Sequence, residues 1–268
     1  MNELGKSTLE KFKKYLKLKN YSDKTIKCYS NCLLVFLKII KNSGMNATSN
    51  DYNVFMNSFE FSSYQQQNQY ISSLKIFYEK ILNKKFLKAN FTRPRNENHL
   101  PRVIDSDLLK EKIINIKNLK HKSIISLSYS VGLRVSEVIN LKIEDIDSKK
   151  MIIYIKNGKG KKDRIVPLSQ NVLDILRKYY IEFKPIEYLF NGQNSLQYSS
   201  NSCNQLMKKY FNKNYHFHLL RHSCFTHLIE NGTDCRVIQK IAGHKNIKTT
   251  EGYMHVSNKV IKSVKLPI

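Results

Sequence analysis

Apolar residues return at helical spacing through the first ninety positions. Leu9, Phe12 and Leu16 mark one face. After Ser22, a side chain suited to capping a helix start, the same period continues through Ile26, Tyr29, Leu33, Phe36, Leu37 and Ile40 until Gly44. A start signal at Thr48-Ser49-Asn50 precedes Tyr52, Phe55 and Phe59. A longer segment, about 62–83, carries Ile71, Leu74, Phe77, Tyr78 and Ile81. The pattern predicts four short helices and hence an all-helical domain over residues 1–90.

Between Asn90 and Arg102 the period is lost. Pro94 and Pro101 stand among Arg93, Arg95, Asn96, Asn98 and His99, a polar and basic stretch that reads as an interdomain linker over 91–101. From 102 to 268 the pattern becomes mixed. An acid-capped helix starts at Asp105, and Ile124–Tyr129 belong to another. Gly132 precedes a short helix with Arg134 and Glu137. Alternation over Met151–Ile155 and Arg164–Leu168 predicts two strands, joined by the turn Gly158-Lys159-Gly160-Lys161-Lys162-Asp163. Further helices are expected near Val172–Tyr180, Asn201–Phe211, His218–Glu230 and Asp234–Ile241. The fold class expected is mainly α, with a small antiparallel sheet in the second domain.

Charge gives this two-domain outline a partner. The 268 residues carry a formal net charge of +25. Residues 1–95 hold 17 basic against 6 acidic groups (+11), and residues 96–268 hold 29 against 15 (+14). Both halves are basic, so both would concentrate a polyanion, and nucleic acid is the first candidate. A lysine-rich composition serving only solubility is the plainer explanation of charge alone. The opening stretch, Met1–Lys14, is polar and holds no signal-peptide core, and no apolar run is long enough to span a bilayer. Five cysteines without metal-site or disulfide spacing (Cys28, Cys32, Cys203, Cys224, Cys235) suit a reducing compartment. The expectation is a cytoplasmic, nucleoid-associated protein with no membrane contact.

The candidate chemistry lies in six residues of the second half: Arg134, Lys159, His218, Arg221, His244 and Tyr253. A phosphodiester under attack gains negative charge on its non-bridging oxygens, and guanidinium groups can stabilise that charge with forked, permanently charged donors. Lys159, between two glycines, could protonate a leaving oxygen. Lys156, Lys161 and Lys162 are close enough in sequence to compete. His218 and Arg221, three apart on a helix, can face one way. His244 follows Ala242-Gly243, where the backbone can approach a ligand closely. Each also has an ordinary explanation. Arg134 alone would pass for an exposed helix arginine, and Tyr253, among 16 tyrosines, for a half-buried aromatic. A zinc site could be sought in His218, His222, Cys224 and His227, but no distant Cys-x-x-Cys completes a set. His222 and His227 read as packing and hydrogen-bonding residues.

In context the six residues resemble the tyrosine recombinase/integrase family, most of all its short Xer-like members. The resemblance rests on Gly132-Leu133-Arg134-Val135-Ser136-Glu137, Gly158-Lys159-Gly160, His218-Leu219-Leu220-Arg221-His222, Ala242-Gly243-His244 and a tyrosine nine residues beyond that histidine. It covers about 100–256 well, and over 9–82 only as a four-helix pattern like the family's SAM-like core-binding domain. It implies a C-shaped clamp on duplex DNA, with Arg93, Arg95, Lys161 and Lys162 among the DNA contacts. Arg134, Arg221 and His244 would contact the phosphate, with Glu137 supporting them, His218 bonding the phosphate or assisting deprotonation of the tyrosine, Lys159 as general acid and Tyr253 as nucleophile. A 3′-phosphotyrosyl intermediate and a Holliday junction follow, with no cofactor, metal or ATP, on short inverted-repeat core sites bound by a homotetramer. A second recombinase or accessory protein could assist. Val256, Val260, Ile261 and Val264 form an apolar stripe that would cap the same subunit or link to a neighbour. The alternatives are a type IB topoisomerase-like enzyme, a catalytically silent DNA-binding regulator and an unrelated basic nucleic-acid-binding module.

Overall fold

The computed structural model describes residues 3–40, 45–84, 93–94, 102–156, 163–193, 195–244 and 246–253. The chain divides into two compact units, 1–98 and 99–268.

The first unit is helical. It comprises α1 (Glu3–Leu18), α2 (Asp23–Ile39), α3 (Ser49–Ser58) and α4 (Tyr64–Ile76), the last running on into a π-helical turn, Phe77–Ile81. Local chemistry starts each of the last three helices. Ser22 and Ser63 accept from the backbone N–H three residues on, and Thr48 and Asp51 cap each other reciprocally. Phe12, Leu16, Leu33, Phe36, Phe55 and Leu74 then meet in one core. The wider π turn follows directly on α4 and buries two successive side chains, Phe77 and Tyr78. Aromatic edges fill the interior, as where Phe36 meets Phe55 with ring centres 5.3 Å apart.

The second unit is built around two helices buried over most of their surface. In chain order it holds α5 (Ser106–Ile114), α6 (Leu119–Val131), α7 (Val135–Asn140), strands β1 (Ile146–Asp147), β2 (Ile152–Ile155) and β3 (Arg164–Pro167), then α8 (Gln170–Phe183) and α9 (Ser200–Tyr210). It ends with α10 (His218–Glu230), α11 (Cys235–Ala242) and α12 (Lys248–Glu251). Asp105 caps α5 as expected, its carboxylate accepting from Asp107 and Leu108 N–H. The helix α6 packs against α8 and α10, and α11 lies on β3. The strands pair antiparallel in sequence order, with Ile153 opposite both Ile146 and Val166.

The sheet has one strand more than the two that alternation predicts. A two-residue strand such as β1 is too short to show a period of two. The four-residue α12 is likewise too short to show helical periodicity. The segment 91–101 lies outside the described residues except for Arg93 and Pro94, as do Gly44 and the stripe from Val256 to Val264.

Candidate active site

The site forms where the end of α6, the start of α7, the first residue of β3, α10 and the end of α11 converge. Gly132 closes α6 in the left-handed region at φ +62°. A Cβ there would lie 2.5 Å from Cζ of Phe225, so both the backbone conformation and the space call for glycine. The chain turns sharply and delivers Arg134 to the N-terminus of α7.

Glu137, one turn into α7, is the buried anion of the site. Its Oε2 accepts from the Arg134 backbone N–H at 2.8 Å, and its Oε1 from the Arg134 guanidinium at 2.8 Å. Arg164 binds the same carboxylate with a two-pronged grip, Nη1 to Oε1 and Nη2 to Oε2, each 2.8 Å. Burial alone would raise the Glu137 pKa. The bonds and charge of Arg164, with the Arg134 contacts, outweigh it and hold the group at about 2. Glu137 is therefore a carboxylate whenever the protein is folded at ordinary pH.

Arg221 is only 1 % exposed. Its guanidinium lies over the Phe225 ring, 4.7 Å from the centroid, and donates to the carbonyls of Gly132 and Ala242. Those two bonds join the ends of α6 and α11. Burial and the neighbouring charge of Arg134 lower its pKa to about 10, still high enough to keep it charged at pH 7. The same Nη2 lies 3.0 Å from Nε2 of His244. Since arginine can only donate, Nε2 accepts. The His244 proton is then on Nδ1, which reaches the Thr250 hydroxyl at 2.9 Å.

Tyr253 follows α12, and its ring stacks on His244 at 15° between planes and 6.2 Å between centres. It also packs on Phe225 and on His222, both at 5.5 Å. Burial raises the phenol pKa, while the charges of Arg221 and Arg134 pull against that rise. A buried phenol facing two guanidinium groups suits a nucleophile that must lose its proton as it attacks. His218 opens α10 and meets His222 edge-on, 4.6 Å between ring centres, so the two imidazoles continue from Tyr253 towards solvent. Partial desolvation of the ring, then the nearby His222 and Arg221, lower the His218 pKa and favour the neutral imidazole. The Nδ1 atom of His222 is buried with no hydrogen-bond partner among the described residues.

Of the six expected residues, Arg134, Arg221, His244 and Tyr253 thus come together, and His218 is linked to them through His222. Lys159, Lys161, Lys162 and Arg95 lie outside the described residues. Lys156, a competitor for the acid role, is occupied with Asp145 at 2.7 Å and Glu144 at 3.1 Å. Arg93, in the first unit, donates to the side chains of Asn68 and Ser72. His227 lies 2.8 Å from the Tyr129 hydroxyl. Among the described residues no group of three His, Cys, Asp or Glu side chains could hold a metal ion, and no helix is long and apolar enough to cross a membrane. Sequence reasoning missed Arg164, Phe225 and Thr250. The one available signal was for Arg164, which shares a strand face with the buried Val166 and so needed a partner.

A model of the phage integrase family matches residues 103–259, and a model of the phage integrase N-terminal SAM-like domain matches 8–87. The chain is 34 % identical to tyrosine recombinase XerA of Pyrococcus horikoshii, over 95 % of this chain and 90 % of that one. It is 29 % identical to tyrosine recombinase XerC of Staphylococcus haemolyticus, over 92 % of this chain and 91 % of that one. A crystal structure of XerA recombinase matches at 28 % identity and TM-score 0.56, covering 96 % of each chain. The fold is shared with XerH bound to palindromic difH substrate, at TM-score 0.73 and 24 % identity over 95 % of this chain and 82 % of that one. The chain belongs to the phage integrase family, the tyrosine recombinases.

Proposed function

We propose that the chain cleaves and rejoins duplex DNA at specific short inverted-repeat sites, with Tyr253 as nucleophile. The phenolate oxygen attacks the scissile phosphorus, and the bond from phosphorus to the 5′ oxygen breaks. The products are a 3′-phosphotyrosyl strand and a 5′-hydroxyl. Arg134 and Arg221 neutralise the charge gathering on the non-bridging oxygens, and His244 orients and shares in that contact. His218 assists at the phosphate or in taking up the phenol proton, and Lys159 gives a proton to the departing oxygen. Attack by a partner strand's 5′-hydroxyl reverses the step, so bond energy is kept without ATP. Two rounds through a Holliday junction exchange two duplexes.

The observation that carries this reading is the cluster itself: two arginines and a histidine gathered around a buried tyrosine, with Arg221 making contacts to both neighbouring backbone ends. Residues 1–90 supply the core-binding domain, 91–101 the linker and 102–268 the catalytic domain. Arg93, Arg95, Lys161 and Lys162 contact the DNA backbone. Four copies assemble on paired sites in the nucleoid, with or without an accessory protein, and the segment after Tyr253 links them.

The test is to trap covalent protein–DNA adducts in the native host and sequence the attached ends, comparing wild type with Tyr253→Phe. Discrete ends joined through a 3′ phosphate, absent from the variant, are expected. Adducts scattered over the genome would favour a topoisomerase. No adduct in either strain, with the protein bound to DNA, would contradict catalysis.

A further inference from the structure

We infer that Arg164 is a positioning residue for strand cleavage: it sets the two cationic contacts of the scissile phosphate without touching the phosphate itself. The inference rests on the catalytic reading above and adds to that reading a residue outside its six.

Arg164 makes two separate attachments. With Nη1 and Nη2 it occupies both oxygens of Glu137. With Nε it donates to the carbonyl of Ile241 at 2.7 Å. Its stem passes beneath the next turn, since a Cβ on Gly243 would come within 3.1 Å of Arg164 Cδ. Gly243, at φ +64°, is the residue before His244. Ala242, whose carbonyl receives Arg221, is the residue before that. One guanidinium therefore ties the anion under Arg134 to the backbone that holds Arg221 and His244. Its side chain is only 10 % exposed, so little of it is open to a DNA phosphate.

The competition at Glu137 supplies the mechanism. A lone carboxylate beside Arg134 would draw the whole guanidinium into a bidentate pair. With Arg164 already on both oxygens, Arg134 makes one side-chain bond to Glu137 and leaves the rest of its fork for a phosphate. Without Arg164, Arg134 turns inward onto Glu137. The α11 end loses its anchor as well, and His244 and the Ala242 carbonyl drift from Arg221. The predicted loss is specific: the charge on the non-bridging oxygens goes unmatched, while duplex binding, spread over many basic residues, continues.

The test uses oligonucleotide duplexes carrying the cleavage site mapped by adduct sequencing, in two forms. One has the natural scissile phosphate, and the other a methylphosphonate, which removes the negative charge there. Initial rates of adduct formation are compared for wild type, Arg164→Gln and Arg164→Lys, with duplex affinity and thermal midpoint measured on the same samples. On the natural phosphate, Arg164→Gln is expected to slow the rate about 100-fold, the scale of losing one preorganised contact to a developing charge. On the methylphosphonate the loss should shrink to a few-fold, with affinity near wild type, and Arg164→Lys should fall between. An equal loss on both substrates would mean that Arg164 only holds the fold together and would overturn the proposal. So would an unchanged rate in both variants. If Arg164→Gln does not fold, Arg164→Lys carries the same comparison. A wild-type chain that forms no adduct contradicts the catalytic reading instead, and the two failures are distinguishable.

Discussion

The two units of this chain both bury an apolar core but differ in what else they place inside it. The first buries rings: Phe12, Phe36, Phe55 and Phe77 meet edge to face, and among its described residues the buried polar side chains are uncharged hydroxyls. Ser73 donates to the Tyr29 carbonyl at 2.8 Å and Tyr78 to that of Thr48 at 2.7 Å. The second unit buries charge. Arg221, Glu137 and Asp145 lie inside, and the ends of α6, α7, α11 and β3 are joined through them. Aromatic packing is non-directional in its main effect and tolerates volume-conserving apolar exchange, whereas a buried ion group requires every partner. The first unit is a platform, and the second keeps an electrostatic arrangement ready before substrate arrives.

Breaking the charged interior should do the most. Arg221→Ala leaves two carbonyls unpaired and a void over Phe225. Adduct formation should fall by at least about 100-fold and stability by about 3–5 kcal/mol, measured by single-turnover cleavage and denaturant unfolding. Next comes Gly132→Ala, which combines left-handed strain with a clash on Phe225. A loss of about 2–4 kcal/mol is expected, read in the same unfolding experiment.

Acid sharpens the contrast. Glu137 has its pKa lowered on folding from 4.5 to about 2. Its stabilisation is therefore complete above pH 4.5 and is lost as pH falls from there towards 2. Unfolding followed between pH 6 and pH 2.5 should show the second unit weakening in this window, and Glu137→Gln should flatten that slope while lowering stability at neutral pH. The smallest effect belongs to the first unit. Tyr78→Phe removes one hydrogen bond to Thr48 and should cost about 1 kcal/mol, leaving the cleavage rate of folded protein unchanged.

This difference also decides what could be read from the sequence. The first unit was legible as periodicity: Phe12 and Leu16, or Leu33, Phe36 and Leu37, fall on one helical face, and Ser22 and Thr48 begin helices in the expected way. The helix α10 was legible as a helix, yet it has no single apolar face, because Leu219, Arg221, Cys224, Phe225 and Thr226 are buried around it. Its Arg221 stood out through neighbouring residues in a motif, not through pattern. Arg164 and Thr250 were not legible as members of the site. Their meaning depends on Ile241, Glu137 and His244 arriving from elsewhere in the chain, and an arginine heading a strand looks like any edge charge until the partner is in place.

The most direct test of the central claim is to digest a trapped adduct with nuclease and protease and find which peptide carries the residual nucleotide. The account predicts a 3′-linked nucleotide on Tyr253, gone in Tyr253→Phe. A nucleotide on any other residue, or DNA cut with no residue attached, would contradict it.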